Sequence, residues 1–256
     1  MKFNIIRCAR AVLRVTDLNA SRDFYERALG FVVTEADSNH LYLRGLEEYH
    51  HHSLLLKKAE QPSVEVISYK VYSEEDLEAL YDFFQQKQMN PKWIEEGQQH
   101  AIGRSFRVQD VSGLPLEFFV KMDTIERLLQ RYDLYRGARV QRIDHFNCMV
   151  TDVQTAYDFY VKELGFACSE YTETEDRQLW AAWLHRKPNV HDVAFMNGKG
   201  PRPPYWLLAF RSAQPNSRLR CACFDGVCLE HRTGAGPPWV VQCLFPLFEG
   251  PRWPSN

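Results

Sequence analysis

One feature limits the fold more than any other. The pattern Val15-Thr16-Asp17, Phe24-Tyr25 and Leu29-Gly30-Phe31 returns as Val150-Thr151-Asp152, Phe159-Tyr160 and Leu164-Gly165-Phe166. The offset stays at 135 residues, from Asp17 to Asp152 as from Gly30 to Gly165. Chance rarely keeps register over so many identities, so the chain is internally duplicated and each half carries an equivalent supersecondary unit. A length of 256 residues suits two such halves.

Within the first half, residues 8–16 alternate as a strand, and Asp17 is placed to cap a helix over 19–29 that Gly30 closes. Strand-like runs follow at 31–34, 39–43 and 53–57, giving a β-α-β-β-β unit. A second unit opens at 64–71 and continues through a helix over 74–87, with Leu77, Leu80, Tyr81 and Phe84 on one stripe. Ser73 precedes the acidic first turn Glu74-Glu75-Asp76, and strands at 105–108 and 115–120 close the unit across the turn Asp110-Val111-Ser112-Gly113. In residues 121–139, Ile125, Leu128, Leu129 and Tyr132 stand at helical spacing, which predicts a partly helical connector. A third unit then has its strand at 140–150, its helix at 153–164 and strands near 166–170, 179–185 and 192–196.

Composition excludes several classes. The chain is 45% hydrophobic with a net charge of −2, so no basic stripe argues for nucleic acid. The N-terminal residues have no apolar core of a secretory leader, and no apolar run is long enough for a membrane span, which favours the cytoplasm. The seven cysteines are odd in number and read as reduced thiols, although Cys221, Cys223, Cys228 and Cys243 crowd the last fifth of the chain.

The candidate chemistry lies in the third unit. Arg142-Ile143-Asp144-His145-Phe146-Asn147 reads as a buried strand with one histidine, which is either a metal ligand or a hydrogen-bonded core residue. In the first half the corresponding position is Arg10, a cation that would repel a metal. His50-His51-His52 reads as an exposed chelating cluster or as a mobile polar loop. His185, Arg186 and Lys187 offer either positive potential for a substrate carboxylate or a solvated loop.

RIDHFN at 142–147, AAWLHRK at 181–187, VHDVAF at 190–195, NGKGPR at 197–202 and LLQRYDLY at 128–135 together resemble the type I extradiol ring-cleaving dioxygenases. The likeness covers about residues 7 to 202 and points to the subgroup acting on 3,4-dihydroxyphenylacetate (homoprotocatechuate). This resemblance implies an α+β, vicinal-oxygen-chelate fold of paired β-α-β-β-β units. It also implies a mononuclear Fe(2+), or Mn(2+), held by two histidines and one glutamate, with open positions for a catechol and dioxygen. His145 matches the first ligand. His191 matches a histidine beside the dioxygen site that passes a proton, and Asn147 and Trp183 match residues lining the substrate pocket. The intact enzyme would be a homo-oligomer binding neither nucleic acid nor membrane.

The resemblance divides the chain into a structural N-terminal domain (1–122), a connector (123–140), a third unit (141–202) and an aberrant segment (203–256) in place of the fourth. Two ligands of the implied set are missing. Pro203-Pro204 stands where the second histidine should follow Arg202, no final strand carries the glutamate, and the surroundings of His231 do not resemble a ligand strand. Reading the codons from Pro203 one nucleotide later permits His-His-Ile-Gly-Phe and, further on, a run with strand and turn patterning, so the C-terminus reads as frame-shifted and truncated. The chain is therefore expected to be a ring-cleaving dioxygenase by descent and inactive as it stands. Two rivals remain on the same fold: a metal-free small-molecule binding module, and a glyoxalase-type metalloenzyme, against which Arg10 argues.

Overall fold

A computed structural model describes residues 3–186 and 191–198, together with three strands at 205–212, 229–230 and 240–246 whose backbone alone is described. The first unit runs β1 (Ile5–Val15), α1 (Leu18–Arg22), β2 (Val32–Ala36), β3 (His40–Arg44) and β4 (Leu54–Lys58). The second is β5 (Ser63–Val71), α2 (Glu74–Gln86), β6 (Lys92–Ile94), β7 (Ser105–Gln109) and β8 (Pro115–Phe119). Then follow β9 (Val140–Val150), α3 (Val153–Asp158), β10 (Ala167–Glu173), β11 (Leu179–His185) and β12 (Val193–Asn197). The last strands are β13 (Tyr205–Ser212), β14 (Leu229–Glu230) and β15 (Val240–Pro246).

The repeated residues build the same local structure twice. Asp17 accepts hydrogen bonds from the Asn19 and Ala20 backbone N–H groups, and Asp152 accepts from Thr155. Each short α-helix then widens into a π-helical turn, Asp23–Ala28 in one half and Phe159–Glu163 in the other. Leu29 N–H reaches Phe24 C=O and Leu164 N–H reaches Phe159 C=O, five residues back in each case. Gly30 (φ 80°) and Gly165 (φ 74°) stop both turns in the left-handed region, which a side chain would strain. The predicted continuous helix over 19–29 is thus an α-turn followed by a π-turn, which buries Phe24 and Tyr25 on one side.

Two sheets result. The first has the order β2-β3-β4-β1-β5-β8-β7-β6 and the second β10-β11-β12-β9-β13-β15-β14. Three units close with a parallel pair, β1 with β4, β5 with β8, and β9 with β12. The fourth differs, since β13 and β15 pair antiparallel. A parallel pair needs a crossover of a dozen or more residues, usually a helix, whereas an antiparallel pair needs only a return.

One apolar core runs through both sheets. Tyr69 of β5 meets Phe146 of β9 and Phe166 edge-on, each at a centroid distance of 5.7 Å. Each such buried ring contributes on the order of 2–3 kcal/mol. Polar clamps join the halves as well: Tyr160 Oη donates to Asp110 Oδ2 at 3.0 Å, and the Cys8 N–H donates to Asp192 Oδ1 at 2.8 Å.

The connector departs from expectation. Its one helical piece is a 3-10 turn at Tyr132–Leu134, and Tyr132 is 73% exposed. The backbone is strapped to the loop after β3 instead, with Ile125 N–H on Tyr49 C=O and Leu128 N–H on Leu46 C=O, so Leu128 alone of the predicted stripe is buried. Further along, the connector packs so tightly on the first π-turn that a Cβ at Gly137 would sit 2.2 Å from Ala28 C=O. These tertiary hydrogen bonds replace the helical ones that the spacing suggested.

Candidate functional site

At the centre of the second sheet, β9 carries His145 and Asn147, both only 3% exposed. His145 Nδ1 donates to Asp144 Oδ2 at 2.8 Å, and Asn147 Nδ2 lies 3.3 Å from His145 Nε2. The carboxylate fixes the proton on Nδ1, so the Nε2 lone pair points away from the backbone in the tautomer suited to a ligand. His191 is brought to the same place, its ring centroid 4.0 Å from that of His145. The reason is its neighbour Asp192, fully buried between β12 and the first domain. Asp192 accepts from the Cys8 and Arg186 N–H groups, while its backbone C=O accepts from Phe146 N–H at 3.0 Å. Trp183 of β11 lies in register with Ala194, and Ala194 with Asn147, so the tryptophan stands two strands from Asn147 along one row. The structure thus gathers His145, Asn147 and His191 closely, with Trp183 on the same row.

Asp144 and Asp192 escaped the sequence reading as contributors. The available signal was their position, one acidic residue beside each histidine. Arg186 is a correction of another kind. Its guanidinium donates to Ile5 C=O at 2.8 Å, to Asn4 Oδ1 at 2.9 Å and to Gly165 C=O, so it ties the domains together and is not held ready for a substrate carboxylate. Lys187 and His231 lie outside the described residues. Among the described residues, Cys148 and Cys168 are free thiols, and the Cys8 thiol donates to Asp144 C=O at 3.0 Å.

Counterparts in the two sheets differ sharply. In the first, register places Arg10, Ser68 and Glu117 in one row. Arg10 Nη1 meets Glu117 Oε2 at 2.5 Å with both side chains buried, and Ser68, Gln99 and Arg107 also donate to Glu117. Burial pushes the Glu117 carboxyl upward, but Arg10 and Arg107 beside it hold it below the usual carboxylate range. The centre is filled with paired charge. In the second sheet the same row reads His145, Ala209 and Gln242.

The three consecutive histidines are neither exposed nor a loose loop, since His50, His51 and His52 are 5%, 8% and 0% exposed. Arg10 Nε donates to His52 Nε2 at 2.9 Å, so His52 carries its proton on Nδ1 and gives it to His51 Nδ1 at 3.0 Å. His51 Nε2 lies 3.4 Å from Glu35 Oε2, and His100 Nε2 lies 2.7 Å from the same oxygen. Burial, with Arg10 for His52 and His100 for His51, lowers both imidazole pKa values and keeps the relay neutral. Glu35, His51 and His100 bring three donor atoms within 4.8 Å of one another. The chain of donors ends beside the carboxylate, however, so an ion there would have to displace a proton that the buried arginine indirectly fixes on His51 Nε2.

Comparison with known proteins gives the class. Residues 7–118 and 142–232 match the model of the Glyoxalase/Bleomycin resistance protein/Dioxygenase superfamily, and the chain belongs to that family. Among solved structures, homoprotocatechuate 2,3-dioxygenase from Arthrobacter globiformis is 42% identical with a TM-score of 0.74, covering 78% of this chain and 62% of that one. The Brevibacterium fuscum enzyme in complex with 3,4-dihydroxyphenylacetate is 39% identical with a TM-score of 0.74, covering 78% and 63%. A manganese-dependent 2,3-dihydroxybiphenyl 1,2-dioxygenase of Geobacillus genomosp. 3 is 23% identical over 204 residues, 77% of this chain and 65% of its own length. These homologues are extradiol dioxygenases, and the chain spans less than two thirds of the length of each of the three. The α+β fold of paired units is the fold of this family, and no described helix is long and apolar enough to cross a membrane.

Proposed function

We propose that this chain carries one side of an extradiol dioxygenase site, adapted to 3,4-dihydroxyphenylacetate, and that it binds the catechol without cleaving it at an appreciable rate. A complete site of this class would use Fe(2+) or Mn(2+) to bring catechol and dioxygen together on one ion. The residues described here do not fit that ion: His145 is a single imidazole ligand, and the backbone register of its row continues with Ala209 and Gln242, residue types that supply neither an anionic nor an imidazole donor. That row is the observation that carries the reading.

What remains is a polar pocket wall. His145 Nε2 is the acceptor for one catechol hydroxyl, His191 is the acceptor for the proton of the other, and Asn147 supplies a donor beside them. Trp183 supplies an aromatic surface. The antiparallel pairing of β13 and β15 supports disruption of the fourth unit, and a one-nucleotide shift near the codon for Pro203 accounts for it. The residues on which that account rests lie largely outside those described.

The decisive experiment loads the full chain with Fe(II) under anaerobic conditions, adds 3,4-dihydroxyphenylacetate and follows oxygen uptake. No uptake above the free-iron background is expected, with catechol binding still measurable by calorimetry and weakened in Asn147→Ala. The double variant Ala209→His with Gln242→Glu is expected to gain Fe(II) affinity by roughly 100-fold, or ~2.7 kcal/mol. Rapid iron-dependent uptake by the unmodified chain would overturn the proposal.

A further inference from the structure

A cavity of about 370 Å³ opens where β1, the loop after β3, the connector and β9 meet, and Arg7, Tyr49, Arg127 and Arg142 stand in its wall with Glu47 and Glu48. Both acids are already committed. Glu47 pairs with Arg142, and the buried Glu48 carboxylate accepts from Gly45 N–H at 2.7 Å, from Ser53 Oγ and from Ile143 N–H at 3.1 Å. Arg127 lies over the Tyr49 ring, 4.7 Å from its centroid.

Arg7 is the unusual group. It sits directly across from Lys70 in the register of β1 and β5, a like-charge pair of the kind that destabilises a sheet. Between them stands His50, with Arg7 Nη2 3.4 Å from Nδ1 and Lys70 Nζ 3.0 Å from Nε2. A neutral imidazole has one acceptor nitrogen, so the two cationic donors compete for it, and the other acceptor that Arg7 reaches is Cys8 C=O, 3.2 Å from Nη1, which carries no charge to balance the pair. Among the described residues, no carboxylate forms an ion pair with Arg7, Lys70 or Arg127. The arrangement therefore has a surplus of positive charge and of donors beside a cavity large enough for a small molecule, and what it lacks is an anion.

We propose that this cavity, at the seam of the two domains, binds a small oxyanion of the phosphate or carboxylate class through Arg7 and Arg127. A guanidinium presents two parallel N–H groups to such an anion, and the bound charge offsets the repulsion between Arg7 and Lys70. None of the wall residues is His145, Asn147, Trp183 or His191, so the site is separate from the catechol pocket. Because Arg7 lies on β1, Arg127 on the connector and Arg142 on β9, occupancy stabilises the junction of the domains.

The test is a thermal-unfolding titration of the full chain at constant ionic strength, with phosphate in one arm, phenylacetate in a second and chloride as reference. Phosphate, phenylacetate or both are expected to raise Tm by several degrees at saturation, and the arm with the lower half-saturating concentration identifies the preferred anion. In Arg7→Gln with Arg127→Gln the rise is expected to vanish. The variant Lys70→Met is expected to raise the anion-free Tm and to shrink the anion-dependent increment, a readout that does not depend on either arginine variant folding well. Equal Tm values in all three arms, or a rise that survives the double arginine substitution, would overturn the proposal. So would a salt-dependent change in oligomeric state without response to either anion, since that assigns the cations to a second copy of the chain.

Discussion

The two sheets place three residues at equivalent positions and use them in opposite ways. In the first, Arg10, Ser68 and Glu117 fill the centre with a buried ion pair that Arg107 and Gln99 complete. In the second, His145 stands in register with Ala209 and Gln242, and its Nε2 lies 3.3 Å from Asn147 Nδ2. Duplication copies the backbone scaffold, so divergence is concentrated in what the central strands project. An arginine at the first position makes one half an anchor, and a histidine there gives the other half the residue on which the proposed site rests.

The largest expected effect comes from breaking the anchor. Glu117→Ala leaves Arg10 buried without its ion-pair partner, while Arg107 keeps Glu65 at 3.2 Å, and should cost about 3–5 kcal/mol in urea unfolding. A loss below about 1 kcal/mol would show that water reaches this centre and that the two halves differ less than their residues suggest.

Next in size is the clamp between the halves. Burial pushes the Asp110 carboxyl up to about 6, against the backbone hydrogen bonds of Leu114 and Ser112 and that of Tyr160, which lower it. The sign is opposite to that of a salt-bridged acid. The native state binds this proton more tightly than the unfolded chain, so stability is highest below the unfolded carboxyl range near pH 4. It then falls as pH rises to about 6 and is level above that. The amplitude is roughly 3 kcal/mol. Asp110→Asn should remove this part of the pH dependence of Tm while keeping an acceptor for the turn, and an unchanged profile would show that the group carrying it lies elsewhere.

The smallest effect tests what duplication preserved. Asp17→Ala and Asp152→Ala each remove one helix cap and should each cost about 1 kcal/mol. Chemical denaturation of the two variants reads the difference, and costs that differ by more than twofold would mean that the repeated motif does not do equivalent work in both halves.

His50 shows how far local sequence can mislead. Three histidines in a row look like an exposed chelator, yet each was captured by a different distant partner: Lys70 and Arg7 for His50, Glu35 for His51, and Arg10 for His52. The connector stripe misled for the same reason, because Leu46 and Tyr49 supply from another segment the hydrogen bonds a helix would have supplied from within. Conversely His145 and His191 were legible as candidates only through RIDHFN and VHDVAF, the motifs that carry the family resemblance. Their separation of 4.0 Å between ring centroids was not, since it depends on the parallel pairing of β12 with β9.

The sequence by itself determined the duplication, the capped helices, the alternating strands and the residue that each half offers at its centre, because these follow from local periodicity and from side-chain identity. Tertiary structure alone decided which residues share a row, that β15 returns antiparallel beside β13, and that Arg186 is spent on Ile5 C=O and Asn4 Oδ1 of the other domain. The physical reason is range. Capping and alternation are set within a few residues, whereas strand register and the destination of a long cation are set by partners far away in the chain, which only packing brings into contact.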